Sequence, residues 1–542
     1  MASVSFSRLA NLRSLVIDDL AGMRQNIRLH LGQLGMTRVD QAATPDEAIQ
    51  FVQKNNYDVV VCDYNLNKET NGQHLLEFFR SRNMLPESTI FIMVTAESSY
   101  SSVASAAEFK PDAYMIKPLT ATKLAERIER MLDKQNTFLP IMQRIARHDS
   151  AGAVIACDEL LAAEPKWIVE ILKLKGRLLL ELRRVDEARE VYSRALALRD
   201  DLVWARLGMA KCEMSAGRPE QARAAIEAVL AKNAQYIEAY DLLAHIAQTA
   251  GDDNAALDAL TRSARIIPSA PRSRLVGDAA YRIADLAQAE EAFLQAVKLS
   301  KGSMTGQSSD LISLAQVYVD AGNPAAALSV FAGMPLRYAE STAFVAAHAA
   351  MQAQAYAKLG DATAAGDAFE TARQNAGEAR GDQATLTLAR AAFAVGRDDE
   401  GAALVAAAVK SDHENRFLVS LAKRVLCDAG KEALVAELVD SAVDQCMAIV
   451  VEANALMRGA QFEASLAKLE EALSAMPENT GVLMAAAQIY LLWMSQKGVE
   501  RDYVERVNAY LLKLDQLIPG NERVAKMHVF LRRTLNNNPI KS

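Results

Sequence analysis

The sequence predicts a doubly wound α/β domain with a five-stranded parallel sheet, followed by an all-α helical-repeat superhelix. Between about residue 10 and residue 133, short β-branched runs alternate with helical patterns, which is the rhythm of a parallel βαβ sheet. From about residue 134 the strand signals stop and small and aromatic residues return at a spacing near 34, and from about residue 150 Ala is so frequent that helix is the default state. The chain is 51 % apolar but only 6 % aromatic, which suits an array of helices packed closely through small side chains.

The strands are expected at Ser14 to Ile17, Arg38 to Ala42, Val59 to Cys62, Ile90 to Val94 and Ala113 to Ile116, with five helices interleaved. Ligands of such sheets sit beyond the carboxyl ends of the strands, near the topological switch point. Asp18 and Asp19 follow the first strand, Asp63 ends the third, Thr95 ends the fourth, and Lys117 follows the fifth just before Pro118. All five polar side chains therefore come to one rim.

Three crowded carboxylates repel one another unless a cation joins them. Mg²⁺ suits this donor set because it takes few protein carboxylates and leaves positions for phosphate oxygens. Asp63 then becomes the nucleophile for an in-line phosphoryl transfer, with Lys117 neutralising charge and Thr95 offering a hydroxyl to the product.

This arrangement resembles the receiver domain of two-component response regulators, a flavodoxin-like fold, over about 125 residues. The resemblance implies that a sensor histidine kinase or phosphotransfer protein phosphorylates Asp63. It also implies that Asp18, Asp19, Asp63 and the Asn65 main-chain carbonyl hold Mg²⁺, and that Lys117 contacts the acyl phosphate. Thr95 would move to bond the phosphoryl group while Tyr114 swings inward. Asn65 and Glu97, each two residues beyond a site residue, look like the pair in chemotaxis-type receivers and imply faster self-dephosphorylation. The loop from Asn65 to Gly72 departs from the pattern by lacking the usual proline and running one residue long.

A phosphatase of the haloacid-dehalogenase type would need a second Asp where Asn65 stands. A pseudo-receiver would lack an acidic residue, the lysine or the threonine, and none is missing here.

In the second territory Ala188, Ala222 and Ala256 are 34 apart, as are Gly217 and Gly251. Tyr192, Phe293, Phe331 and Phe369 each follow a small residue by four, and Ala195, Ala296 and Ala372 follow three of those aromatics by three. The pattern resembles the tetratricopeptide repeat, a helix-turn-helix unit, with roughly ten units that degenerate around residues 300–345 and 410–450. The resemblance implies a groove lined by the first helix of each unit. Lys173, Arg177, Trp204, Leu207 and Lys211 are expected to face it, followed by Glu238, Asp241 and His245. An aromatic among basic residues there would anchor an acidic peptide or helix of an unidentified protein partner.

The expected division is a receiver at residues 1–133, repeats at 134–520, and a capping helix with a polar tail at 521–542. A net charge of -7 argues against direct nucleic acid binding, which relies on clustered Lys and Arg. The five scattered cysteines form no CxxC pair and read as reduced thiols. No histidine pair has zinc spacing, and no GxxxxGK[ST] loop is present. No apolar run approaches the ~18 residues of a membrane-spanning helix, so a soluble, cytoplasmic protein without membrane insertion is expected.

The predicted function is a non-enzymatic response regulator that acts through protein binding by its repeats. The alternatives are a phosphorylation-independent scaffold, or a regulator of a signalling enzyme or transcription complex by direct binding.

Overall fold

A computed structural model describes residues 9–541 apart from 67–70, 83, 87, 97–110, 148, 164, 301–306, 333, 335–340, 378–382, 414, 460, 519–520 and 538–539. They fall into two compact units, one of Met1–Ile283 with Glu291–Gln307 and one of Ala284–Glu290 with Ser308–Ser542.

The first unit opens with five strands, β1 (Arg13–Ile17), β2 (Arg38–Ala42), β3 (Val59–Asp63), β4 (Ile90–Thr95) and β5 (Ala113–Ile116). All pairs are parallel and the order is β2-β1-β3-β4-β5. Strands β3 and β4 are buried along their whole length, so they read as unbroken apolar runs rather than alternating ones.

The sheet is flanked by α1 (Ala21–Gln33), α2 (Pro45–Lys54), α3 (Gly72–Ser81) and α4 (Ala121–Ala146). One apolar layer joins Ile27, Leu31, Leu124 and Ile128 to the sheet, and another joins Val52, Leu75, Leu76 and Phe79 to its opposite face. Helix α2 starts where the Thr44 hydroxyl accepts the Glu47 N–H and Pro45 takes the first helical position. The helix expected between β4 and β5 lies outside the described residues.

Helix α4 departs from expectation. The first territory is expected to end at residue 133, but α4 runs through that point without interruption to Ala146. Pro140 lies inside it, and the cost of that proline is offset by burial of Phe138 and Ile141 against the next helices.

The remaining helices of this unit are α5 (Ser150–Ala163), α6 (Ile168–Glu181), α7 (Val185–Leu198), α8 (Val203–Ser215), α9 (Pro219–Lys232), α10 (Ile237–Ala250), α11 (Asp253–Ile266) and α12 (Ala270–Arg282), and α13 (Leu286–Leu299) follows. The second unit contains α14 (Ser308–Asp320), α15 (Pro324–Ser329), α16 (Thr342–Leu359), α17 (Ala362–Asn375), α18 (Gln383–Ala394), α19 (Asp398–Ser411) and α20 (Arg416–Asp428). After a π-helical turn at Ala436–Asp440 come α21 (Ser441–Arg458), α22 (Phe462–Ala475), α23 (Thr480–Lys497), α24 (Arg501–Leu517) and α25 (Glu522–Asn537).

The repeated small and aromatic residues are the joints of this array. Tyr192 on α7 is buried, and its ring lies where a Cβ on Gly176 of α6 or Gly208 of α8 would stand. Phe293 occupies the same relation to Gly277 of α12. Ala188, Ala195, Phe369 and Ala372 are completely buried. Glycine in the first helix of a hairpin thus makes room for the aromatic of its second helix, and Gly208 does the same for the hairpin before it, so the sequence period is a packing period.

Most hairpins turn through one left-handed residue, as at Gly217, Gly251, Gly322, Gly360, Gly396 and Gly430. The residue after it donates its N–H back to the end of the preceding helix, for example Arg218 to Glu213 O at 2.9 Å and Asp361 to Tyr356 O at 3.0 Å. Arg183 (φ 60°) and Ala284 (φ 63°) hold the same place without being glycine.

At the carboxyl end, Val524, Met527 and Leu531 of α25 join the apolar cluster of α22, α23 and α24. Among the described residues no helix is long and apolar enough to cross a membrane.

Candidate functional site

Parallel register brings the strand ends level, because Ile17 of β1 faces Cys62 of β3, Asp63 faces Val94 of β4, and Thr95 faces Ile116 of β5. The residue that ends or follows each of these strands therefore emerges at one rim. Carboxylate oxygens of Asp18, Asp19 and Asp63 lie within 4.8 Å of one another there, with Asp18 and Asp63 buried and Asp19 exposed.

Lys117 reaches into this group, its Nζ lying 3.0 Å from Asp63 Oδ2 and 3.2 Å from Asp18 Oδ2. One ammonium facing three carboxylates leaves two negative charges, which matches a divalent cation with oxygen ligands. Burial pushes the Asp63 carboxyl above its ordinary range, with Lys117 opposing the shift. Burial works against the Lys117 ammonium too, but the hydrogen bond and charge of Asp63, reinforced by Asp18, outweigh it and hold the group above its usual value.

Backbone contacts fix these carboxylates. The Leu20 N–H donates to Asp18 Oδ1 at 2.9 Å, and Arg24 Nη1 donates to the carbonyls of Asp18 and Asp19 at 2.7 and 3.0 Å. The Tyr64 N–H donates to Val94 O at 2.8 Å, and the Lys117 N–H to Thr95 O at 2.9 Å. Thr95 is buried at the end of β4, and Asn65 is exposed two residues beyond Asp63. Tyr114 packs half-buried on the apolar layer beneath the rim. Its hydroxyl is buried without a hydrogen-bond partner among the described residues, and burial raises its phenol well above the usual range. Glu97 and residues 67–70 of the loop lie outside the described residues.

Two residues of this site were missed by the sequence reading. Arg24 carried only a weak signal, a cation in the helix that follows an acidic pair. Gly72 is enforced by space, since a Cβ would overlap the Asp63 carbonyl oxygen and stand 3.0 Å from Cys62 Sγ and Met93 Sδ. Its N–H donates to Tyr64 O at 2.7 Å, so the loop after Asp63 closes directly against the strand end. The Asn71-Gly72 pair was the available hint, as a turn signal.

The expected groove residues are only partly brought together. Lys173 Nζ lies 5.8 Å from the centre of the Trp204 ring, an arrangement of cation–π type. Trp204 also meets Tyr192 edge-on at 6.2 Å, so it is half-buried. Arg177 pairs with Glu181 at 3.6 Å, and Lys211, Glu238 and His245 are exposed. Asp241 is held by Arg272 at 2.6 Å. Leu207 corrects the expectation: only 3 % exposed, it belongs to the core shared by α8, α9 and α10, because its phase on the helix points inward.

A five-stranded parallel α/β domain carrying an acidic pocket and a lysine at its carboxyl rim, followed by helical hairpins, defines a receiver-type signalling protein with a repeat array. Residues 15–129 match the response regulator receiver domain family, and residues 179–246 match the tetratricopeptide repeat. Over 125 residues the chain is 32 % identical to the chemotaxis protein CheY of Pseudomonas aeruginosa, covering 23 % of this chain and 99 % of that protein. Among solved structures, the receiver domain of the Francisella response regulator 1452 is 26 % identical with a TM-score of 0.21, covering 23 % of this chain and 99 % of that one. A tetratricopeptide repeat protein from Parabacteroides merdae covers 45 % of this chain and 93 % of its own, at 14 % identity and a TM-score of 0.27. The chain belongs to the response regulators of two-component signalling through its receiver domain, and it carries tetratricopeptide repeats.

Proposed function

We propose that Asp63 accepts a phosphoryl group from a sensor histidine kinase or phosphotransfer protein, and that its phosphorylation state controls which protein the repeat array binds. The observation that carries this reading is the convergence of Lys117 and the three carboxylates on Asp63, at the rim of a domain whose last helix, α4, is also the first helix of the array. The receiver comprises residues 1–133 in this reading, the repeats 134–520, and the last helix and tail 521–542.

Asp18, Asp19, Asp63 and the Asn65 main-chain carbonyl would hold Mg²⁺, which when bound supplies positive charge for the transferring oxygens. An Asp63 carboxylate oxygen attacks phosphorus in line, the bond to the donor histidine nitrogen breaks with its electron pair returning to the ring, and the ring, protonated on its other nitrogen, leaves as a neutral imidazole. Lys117 exchanges part of its pairing with Asp63 for the phosphoryl oxygens. The buried Thr95 hydroxyl then donates to the product, and Tyr114 follows it inward. Asn65 and Glu97 set how quickly water removes the group.

Intact-mass measurement with a small acyl-phosphate donor tests the assignment. Label should require Mg²⁺, disappear in Asp63→Asn, and weaken in Asp18→Asn and Asp19→Asn. Label persisting on Asp63→Asn would move the nucleophile elsewhere.

A further inference from the structure

The second unit contains a charged pocket of about 560 Å³, lined in part by Asp320, Lys358, Arg390, Phe393, Arg424 and Asp428. These residues lie near the carboxyl ends of α14, α16, α18 and α20, the first helices of successive hairpins, so four repeats contribute to one site. Arg390 spans it. Its Nη1 lies 3.0 and 3.1 Å from the two Asp320 oxygens, and its Nη2 lies 3.2 Å from Asp428.

The side chains of Arg390 and Asp320 are only 8 % and 12 % exposed. Lys358 donates to the Val319 carbonyl at 2.6 Å, and Arg424 stands 3.7 Å from Asp428 and 3.9 Å from Asp320.

Charge at such depth is more than the fold needs. A buried ion pair contributes little net stability and is often replaced by apolar side chains without loss. The pocket also departs in sign from the rest of the chain. Three cations against two carboxylates give it a formal charge of +1 (3 − 2) in a chain of net charge -7. Between the charges the walls are Val319, Ala357, Ala394, Val425 and Ala429, which suit small apolar side chains.

We infer that this pocket receives an acidic side chain, Asp or Glu, from an extended peptide segment with small apolar neighbours. The carboxylate would approach Arg424 and Lys358, which line the pocket beside the half-exposed Asp428, while Arg390 stays on the floor with Asp320. Charge complementarity selects the acid, and a lining drawn from four consecutive hairpins selects an extended segment over a compact ligand. The site does not depend on Asp63, so it goes beyond the phosphorylation reading and can be tested without it.

The test uses the full unphosphorylated chain and fluorescently labelled, C-terminally amidated Ala/Val/Leu peptides bearing one central Asp, Glu, Gln or Lys, read by anisotropy. Asp or Glu peptides should bind at least about tenfold more tightly than Gln peptides, as a charge-assisted hydrogen bond requires. Arg424→Gln and Lys358→Gln should each remove most of that preference, while circular dichroism stays unchanged. A second arm uses neutral peptides with a free C-terminal carboxylate, and tighter binding of these would overturn the side-chain assignment. Failure of every acidic peptide to bind at millimolar concentration, or an unchanged preference in Arg424→Gln/Lys358→Gln, would overturn the site itself.

Discussion

Arg183 shows what a single residue costs when it stands where its neighbours use glycine. A side chain in the left-handed region loses about 1 kcal/mol to the contact between its Cβ and the following carbonyl. Glycine avoids that loss but surrenders more backbone freedom on folding, so Arg183→Gly should stabilise the protein by about 0.5 kcal/mol. Gly217→Ala, made at φ 75°, should destabilise by about 1 kcal/mol. Urea titration of the two variants measures both signs, and a destabilised Arg183→Gly would mean that the arginine side chain matters more than its backbone. Asp63 carries a different cost. Its folded carboxyl titrates above its unfolded range, so its contribution to stability is full below the unfolded pKa and is lost as pH rises through the folded one. At neutral pH the ionised group is therefore a burden, which Asp63→Asn removes. Thermal melts at neutral pH without Mg²⁺ should show Asp63→Asn above wild type, and added Mg²⁺ should raise wild type much more than the variant.

At the scale of elements, the strands were legible because β3 and β4 are buried on both faces, leaving unbroken runs such as Val59-Val60-Val61 that few other structures require. The rim residues were legible for the same reason, since a strand that ends on a charge announces where its side chain emerges. The extent of α4 was not legible. Asn136 and Pro140 are poor helix formers, and only tertiary contacts made by Phe138, Ile141 and Trp167 override them. Trp167 is buried 5.7 Å from the Arg130 guanidinium and 5.4 Å from Lys166, while Lys166 pairs with Asp133 at 2.5 Å and Gln135 donates to the Ser88 carbonyl at 3.0 Å. These contacts tie the middle of α4 both to the loop that precedes β4 and to the first hairpins. The sheet nevertheless has its own two-layered core, so residues 1–133 should fold alone as a monomeric α/β unit. Circular dichroism of that fragment should show a cooperative melt, and disorder in the fragment beside a folded full chain would place the boundary further along α4.

For the whole molecule, the question is whether chemistry at Asp63 alters binding on the array. Phosphorylation replaces the charge of the Asp63 carboxylate with a phosphoryl group of roughly two negative charges, a net gain of about one, and brings new acceptor oxygens to the site, so it must favour whichever receiver conformation brings donors to it. Thr95 is such a donor in the proposed mechanism, and the Tyr114 hydroxyl, buried without a partner among the described residues, is the polar group that would follow it. A switch between 1:99 and 99:1 needs ~5.5 kcal/mol of differential stabilisation, so even a partial shift should change partner affinity measurably. Thr95→Ala should accept the phosphoryl group at Asp63 as wild type does, yet lose most of the resulting change in affinity. The measurement is a titration of the array's protein partner against wild type and Thr95→Ala, each with and without a phosphoryl mimic. A change confined to phosphorylated wild type supports a path from Asp63 through Thr95. Equal affinity in all four states would instead make the array a constitutive scaffold, with the receiver governing something other than partner binding.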